Sequence, residues 1–151
     1  MSAVSQMVLA AFGSVSETAV TWNPSDKDAS VTLSNGDRDA AVTDSSFSAV
    51  RANVGRSSGK RYFEISLPTV PGSSRQGFGN GSFSLATYVG NSATSIGATA
   101  AAISNSGYTI VASISPAAES NGQYYMFAID FATGFAWLGR DGSWLGSGNP
   151  A

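Results

Sequence analysis

Large apolar side chains recur at every second position along much of this chain, the spacing that puts them on one face of an extended strand. The clearest segment is Tyr125, Phe127, Ile129 and Phe131, with Tyr124, Met126, Ala128 and Asp130 on the other face. Ala132, Thr133 and Gly134 form a short turn, after which Phe135 and Trp137 alternate with Ala136 and Leu138. Asp141-Gly142 supplies the φ > 0 pair of a tight hairpin, and Trp144 and Leu145 open the next strand. Together these segments predict a β-meander whose hairpin, starting at Asp130, buries Phe131, Phe135 and Trp137. Earlier, Val31 and Leu33 alternate with Ser30 and Thr32 before Asn35-Gly36, and Phe63, Ile65 and Leu67 alternate with Tyr62, Glu64 and Ser66 before Pro68. Both read as strands closed by turns.

Between Thr69 and Gly107 the pattern weakens into Gly, Ser, Ala and Asn with short apolar pieces: Phe83-Ser84-Leu85, Tyr88-Val89 and Ile96-Gly97. Ala98 to Ala102 has the composition of a helical turn, but the flanking Gly97 and the lack of a 3.6-residue period argue against a helix. No repeat, linker or charge block marks a second domain, and 151 residues suffice for one substantial core. The expectation is an all-β, antiparallel two-sheet sandwich over residues 21–151, preceded by an N-terminal segment, residues 1–20. That segment carries Met7, Val8, Leu9, Ala10, Ala11 and Phe12 without a basic stretch before them, unlike a signal peptide, and is too short to span a bilayer. It either packs on the domain as a strand or helical turn, or docks on a neighbouring subunit.

Composition changes the picture in two ways. Only 12% of residues are charged, about half the usual share, so Ser, Thr, Asn and Gly must cover the surface. The net charge of −2 offers no basic field for phosphates, which argues against a nucleic-acid partner. The chain has no Cys and no His, which removes disulfides, thiolate nucleophiles, sulfur metal sites and the commonest general base.

Several strings resemble chemical motifs and fail on their details. Gly55 to Arg61 has three residues between its glycines where a phosphate loop has four, Arg61 where Ser or Thr should hold magnesium, and a strand after it. Ser57 and Lys60 have the spacing of a serine-lysine nucleophile but no helix to bring the lysine round. Gly77-Phe78-Gly79-Asn80-Gly81 lacks the third glycine and the helix of a dinucleotide site. Asn80-Gly81-Ser82 matches a glycosylation acceptor, which matters only in a eukaryotic secretory setting. A glycoside hydrolase would need two facing carboxylates. Of the glutamates Glu17, Glu64 and Glu119, only Glu64 finds a candidate partner, Asp130, and Arg51 and Arg61 are natural counter-ions for both. The sequence thus points to a protein without catalysis, cofactor or metal.

The order of several short pieces resembles the SPRY domain, a bent two-sheet, jelly-roll-like sandwich related in shape to concanavalin-type lectins. They are Thr21-Trp22-Asn23, Leu33-Ser34-Asn35-Gly36, Val50-Arg51-Ala52 and Ser58-Gly59-Lys60-Arg61-Tyr62-Phe63-Glu64-Ile65. Tyr88-Val89-Gly90, Ser104-Asn105-Ser106-Gly107-Tyr108, Ala128 to Gly134 and Trp137 to Trp144 follow. The closing Gly148-Asn149-Pro150-Ala151 is similar to the version found in bacteriophage tail and other virion proteins. Two departures stand out: Asn121-Gly122-Gln123 replaces a Gly-Asp turn, and the family continues into further strands where this sequence ends. Those strands would come from the N-terminal segment, from a partner subunit or from a longer product.

The resemblance implies a structural or attachment component of a phage-like virion (tail, fibre or head decoration), made in the bacterial cytoplasm without a signal peptide. Its partners would be other virion subunits, with homo-oligomerisation, and a host surface polysaccharide; neither nucleic acid nor membrane insertion is implied. The alternative is a stand-alone module that grips a short peptide. Since the family's binding loops vary, candidate contacts are read from residue chemistry alone: Arg75, Phe83, Tyr88 and Asn91 offer stacking and hydrogen bonding in the loop from Ser73 to Tyr88 and the loop around Asn91.

Overall fold

A computed structural model describes residues 5–8, 19–42, 47–69, 74–98, 102–105, 108–112, 120–145 and 150. The described chain is all β and antiparallel, as the alternation predicts, and no helix occurs among the described residues. The strands are β1 (Ser5–Val8), β2 (Trp22–Lys27), β3 (Val31–Ser34), β4 (Asp39–Val42), β5 (Val50–Ala52), β6 (Lys60–Leu67), β7 (Gln76–Gly79), β8 (Ser95–Ala98), β9 (Ala102–Asn105), β10 (Tyr108–Ala112), β11 (Gln123–Asp130), β12 (Phe135–Arg140) and β13 (Ser143–Trp144). Several positions discussed above lie outside the described residues: 9–15, Glu17, 70–73, 99–101, Ser106, Gly107, Glu119, Gly148, Asn149 and Ala151.

Seven strands form the largest sheet, in the order β13-β12-β11-β6-β1-β4-β3; β10-β9-β8-β7 form a second and β2-β5 a third. The ladder between β6 and β11 runs over eight residues, from Lys60 opposite Asp130 to Leu67 opposite Gln123. The register of β11 against β12 is pinned at their hairpin, where Asp130 organises the turn: its carbonyl accepts from Gly134 N–H at 2.8 Å and its Oδ1 from Ala132 N–H at 2.9 Å. The next turn has positive φ at both Asp141 (49°) and Gly142 (83°), the geometry expected of that pair. Asn35 (53°) and Gly36 (63°) do the same between β3 and β4.

The core lies between the largest sheet and the other two. Phe63 and Phe127, neighbours on β6 and β11, stack at 4.8 Å, and Phe78 of β7 meets both edge-on at 5.2 and 5.6 Å. Trp22, Ile65, Leu67, Ala98, Tyr125, Phe127 and Leu138 form the buried cluster around them, drawing on strands of all three sheets. The arrangement is consistent with a two-layer sandwich, and each aromatic pair adds roughly 0.5–1.5 kcal/mol beyond its area term. A polar clamp ties the small sheet in: Arg51 Nε and Nη2 donate to the Asp26 carboxylate at 2.7 and 2.8 Å, while Nη1 donates to Phe83 O at 2.6 Å.

Four details differ from the sequence reading. Strand β11 is buried on both faces: on the outer one the Asp141-Gly142 turn reaches Met126 (7% exposed), whose Sδ accepts from Gly142 N–H at 3.2 Å, and Ala128 (7%) sits low between Tyr62 and Trp137. Phe135, expected inside, is 64% exposed at the hairpin tip, Phe131 sits half-buried in the turn, and Trp137 is half-buried. Leu145 lies beyond β13, though its N–H still donates to Leu138 O at 2.9 Å. Arg51 pairs with Asp26, not with Glu64 or Asp130.

Candidate functional site

The four loop residues singled out from sequence separate into two groups. Arg75 places its guanidinium 4.0 Å from the centroid of the Tyr88 ring, a cation-π contact, and Phe47 meets the same ring edge-on at 4.7 Å with 57% of its surface exposed. Phe83 is buried at 5% exposure, and its carbonyl receives Arg51. Asn91 closes a turn, with its backbone N–H donating to Tyr88 O at 3.2 Å and its Nδ2 to Thr87 Oγ1 at 3.1 Å. Arg75 and Tyr88 therefore come together, Phe47 joins them, and Phe83 and Asn91 hold the loop.

A second, larger feature lies on the outer face of the seven-stranded sheet. Its logic follows from register: Tyr62 stands opposite Ala128, which stands opposite Trp137, so one row across β6, β11 and β12 reads large, small, large. With strands about 4.8 Å apart, the two aromatic side chains rise roughly 10 Å from each other with a methyl group between them. The next row is Glu64, Met126, Gly139 and Trp144. Gly139 is needed there, since a Cβ on it would come within 3.0 Å of Trp144 Cε3 and 3.2 Å of Met126 Cβ. Trp144 thus lies down over the sheet, its ring 6.1 Å from Tyr62 and nearly perpendicular to it. The third row, Lys60, Asp130 and Phe135, closes the other side with charge.

The result is a depression of about 390 Å³ lined by Tyr62, Trp137 and Trp144, with Ala128 and Ile129 below and Lys60, Arg61, Asp130 and Pro150 around it. The Tyr62 hydroxyl donates to Glu64 Oε1. Partial burial, then that hydrogen bond and the nearby carboxylate charge, push the phenol above its ordinary pKa, so it stays a neutral donor. Asp130 is 9% exposed and one of its oxygens serves the hairpin turn. Glu64 and Asp130 share a face but sit four ladder positions apart, since Glu64 faces Met126 and Asp130 faces Lys60. That is about 13 Å along the strands, wider than the roughly 5–9.5 Å of a hydrolase carboxylate pair.

Such a surface offers flat apolar rings bordered by fixed hydrogen-bonding groups. The period-2 pattern of the sequence placed Tyr62 and Ala128 on the outward face; their meeting with Trp137 depended on register, which the pattern leaves open. No protein-family model matches the sequence, and no curated protein matches it.

Proposed function

We propose that this chain is a non-enzymatic attachment domain of a phage-like particle, and that it holds a host surface glycan in the outer-face depression. The observation that carries the binding half of this reading is the Tyr62–Ala128–Trp137 row, with Trp144 laid beside it. A pyranose ring has apolar C–H faces and a hydroxyl rim, so it stacks on an aromatic wall while its hydroxyls reach polar groups at the border. Here the walls are Tyr62 and Trp137, and the border is Lys60 and Asp130. Support for the particle half comes from the SPRY resemblance and from a surface in which Ser, Thr, Asn and Gly replace charge. In this reading the domain assembles with other virion subunits and with copies of itself, which multiplies weak single-site glycan contacts into useful avidity.

A glycan array probed with the wild-type chain and with Trp137→Ala tests the binding half. Retention of a defined set of glycans by the wild type and its loss in the variant is the expected result. Binding of a linear peptide from a library, with no glycan retained, would replace this reading by peptide recognition. Light scattering of the purified chain addresses assembly, for which an oligomer is expected.

A further inference from the structure

We infer that the depression selects an uncharged glycan, and that Lys60 and Asp130 make the selection by holding one sugar hydroxyl between them. The inference rests on the glycan reading above and adds to it the chemistry of the polar end. Lys60 opens β6 and Asp130 closes β11, and the register sets them directly opposite each other in the outer-face row beyond Tyr62 and Ala128. Both line the depression. Arg61 belongs to the inner-face row with Ile129 and Ala136, so this end carries one positive and one negative group and no net charge.

The two groups do not satisfy each other: among the described residues they form no ion pair. Lys60 is exposed, while Asp130 is held low at 9% exposure by the hairpin turn, where its Oδ1 accepts from Ala132 N–H. An ammonium donates and cannot accept, and a carboxylate accepts and cannot donate. The ligand group that answers both at once is a hydroxyl, whose oxygen accepts from Lys60 while its proton goes to Asp130. A ligand carboxylate in that place would meet the charge of Asp130, and a ligand ammonium that of Lys60, so either exchange sets like charges together. The row of Lys60 and Asp130 lies two residues from the row of Tyr62 and Ala128, roughly 7 Å along the strands. Hydroxyls on one edge of a sugar stacked between Tyr62 and Trp137 therefore point toward the gap between the two side chains. At the other end Glu64 does not line the depression and already accepts the Tyr62 hydroxyl, so it adds no charged contact to the ligand. The rings grip any sugar with an apolar face, and Lys60 and Asp130 reject the charged ones.

The test is a glycan array that sets neutral hexose oligomers of the gluco, galacto and manno series beside their uronate and amino-sugar counterparts. It is probed with the full chain as wild type, as Lys60→Gln and as Asp130→Asn. The wild type should retain neutral oligomers and hold the matched uronate and amino forms roughly fivefold more weakly, the size of one exposed charge pair. Lys60→Gln leaves the Asp130 charge alone at that end, so the amino form should gain on the neutral one. Asp130→Asn keeps an oxygen for Ala132 N–H and leaves the Lys60 charge alone, so the uronate form should gain instead. Opposite shifts in the two variants are a signature that lost packing does not produce. Uronate or amino forms retained by the wild type as strongly as the neutral form, or variants that move all three forms alike, would overturn the inference and leave the glycan reading standing. An array on which the wild type retains nothing would overturn the glycan reading itself. Lys60 is exposed, so Lys60→Gln should keep the wild-type melting temperature. Where Asp130→Asn melts earlier through its turn, the Lys60→Gln comparison decides.

Discussion

The two faces of the β6–β11–β12 ladder are built from the same kind of residue and do opposite things. On the inner face Phe63 stacks on Phe127, Phe78 of the second sheet meets both edge-on, Tyr125 lies tilted beside Phe127, and Phe127 and Tyr125 are all but fully buried. On the outer face Tyr62, Trp137 and Trp144 stand in an arrangement no denser than edge contacts at about 6 Å, and Tyr62 is 37% exposed. What separates them is the middle strand. Phe127 fills the centre of the inner row and makes it solid, whereas Ala128 leaves the centre of the outer row hollow. One residue of offset along β11 therefore separates packed core from open depression, which is why a strand's period matters more here than its composition.

The sharpest way to break the contrast is to hollow the inner face. Phe127→Ala removes the ring that touches Phe63, Phe78 and Tyr125, and chemical denaturation should show a loss of about 3–5 kcal/mol. Arg51→Ala comes next, because it cuts the bidentate link to Asp26 and the bond to Phe83 O that tie the small sheet to the loop. A loss of about 1–3 kcal/mol is expected by the same measurement. That substitution should leave glycan titrations unchanged, since Arg51 does not line the depression.

Trp137→Ala should invert the pattern. Its stability cost is expected at about 1 kcal/mol or less, while glycan affinity falls roughly thirtyfold, the loss typical of a central aromatic anchor. Filling the hollow sharpens the contrast from the other side: Ala128→Leu should block the depression and reduce binding as much as Trp137→Ala does. The smallest effect concerns Tyr62. Because its folded-state pKa is raised by burial and by Glu64, the folded protein holds the phenolic proton more tightly than the unfolded chain does. Its contribution is therefore fully present below about pH 10, the ordinary tyrosine value, and declines as pH rises through the folded value. A pH-stability curve of Tyr62→Phe should lack that alkaline decline, and Glu64→Gln should shrink it.

The strands themselves were legible because alternation is local: β3, β6, β11 and β12 follow Val31, Phe63, Tyr125 and Trp137 as the period requires. The turns were legible for the same reason, since Asn35-Gly36 and Asp141-Gly142 carry their φ preference in two residues. What alternation cannot report is which neighbour covers a face. Phe135 looks like a core residue by its chemistry, but the register of β12 sets it in the outer-face row with Lys60 and Asp130, and Met126 looks half-exposed but is covered by the turn that follows β12. The depression was hidden for a related reason. Tyr62 and Trp137 are 75 positions apart, and only the pairing of two ladders through Ala128 brings them into one row. In the loops, Arg75 and Tyr88 meet in a cation-π contact, which the spacing of the two residues did not reveal, and nothing in the sequence signalled that Phe83 turns inward.

Tryptophan fluorescence tests the division between the two faces most directly. Of the three tryptophans, Trp22 is buried in the core and Trp137 and Trp144 line the depression. Titrating a glycan retained on the array into the chain should shift or quench the emission, the change should survive Trp22→Phe, and it should disappear in Trp137→Phe/Trp144→Phe. Saturable glycan binding, measured in parallel by calorimetry, that leaves the emission of the Trp22→Phe protein unmoved would place the ligand elsewhere and contradict the account.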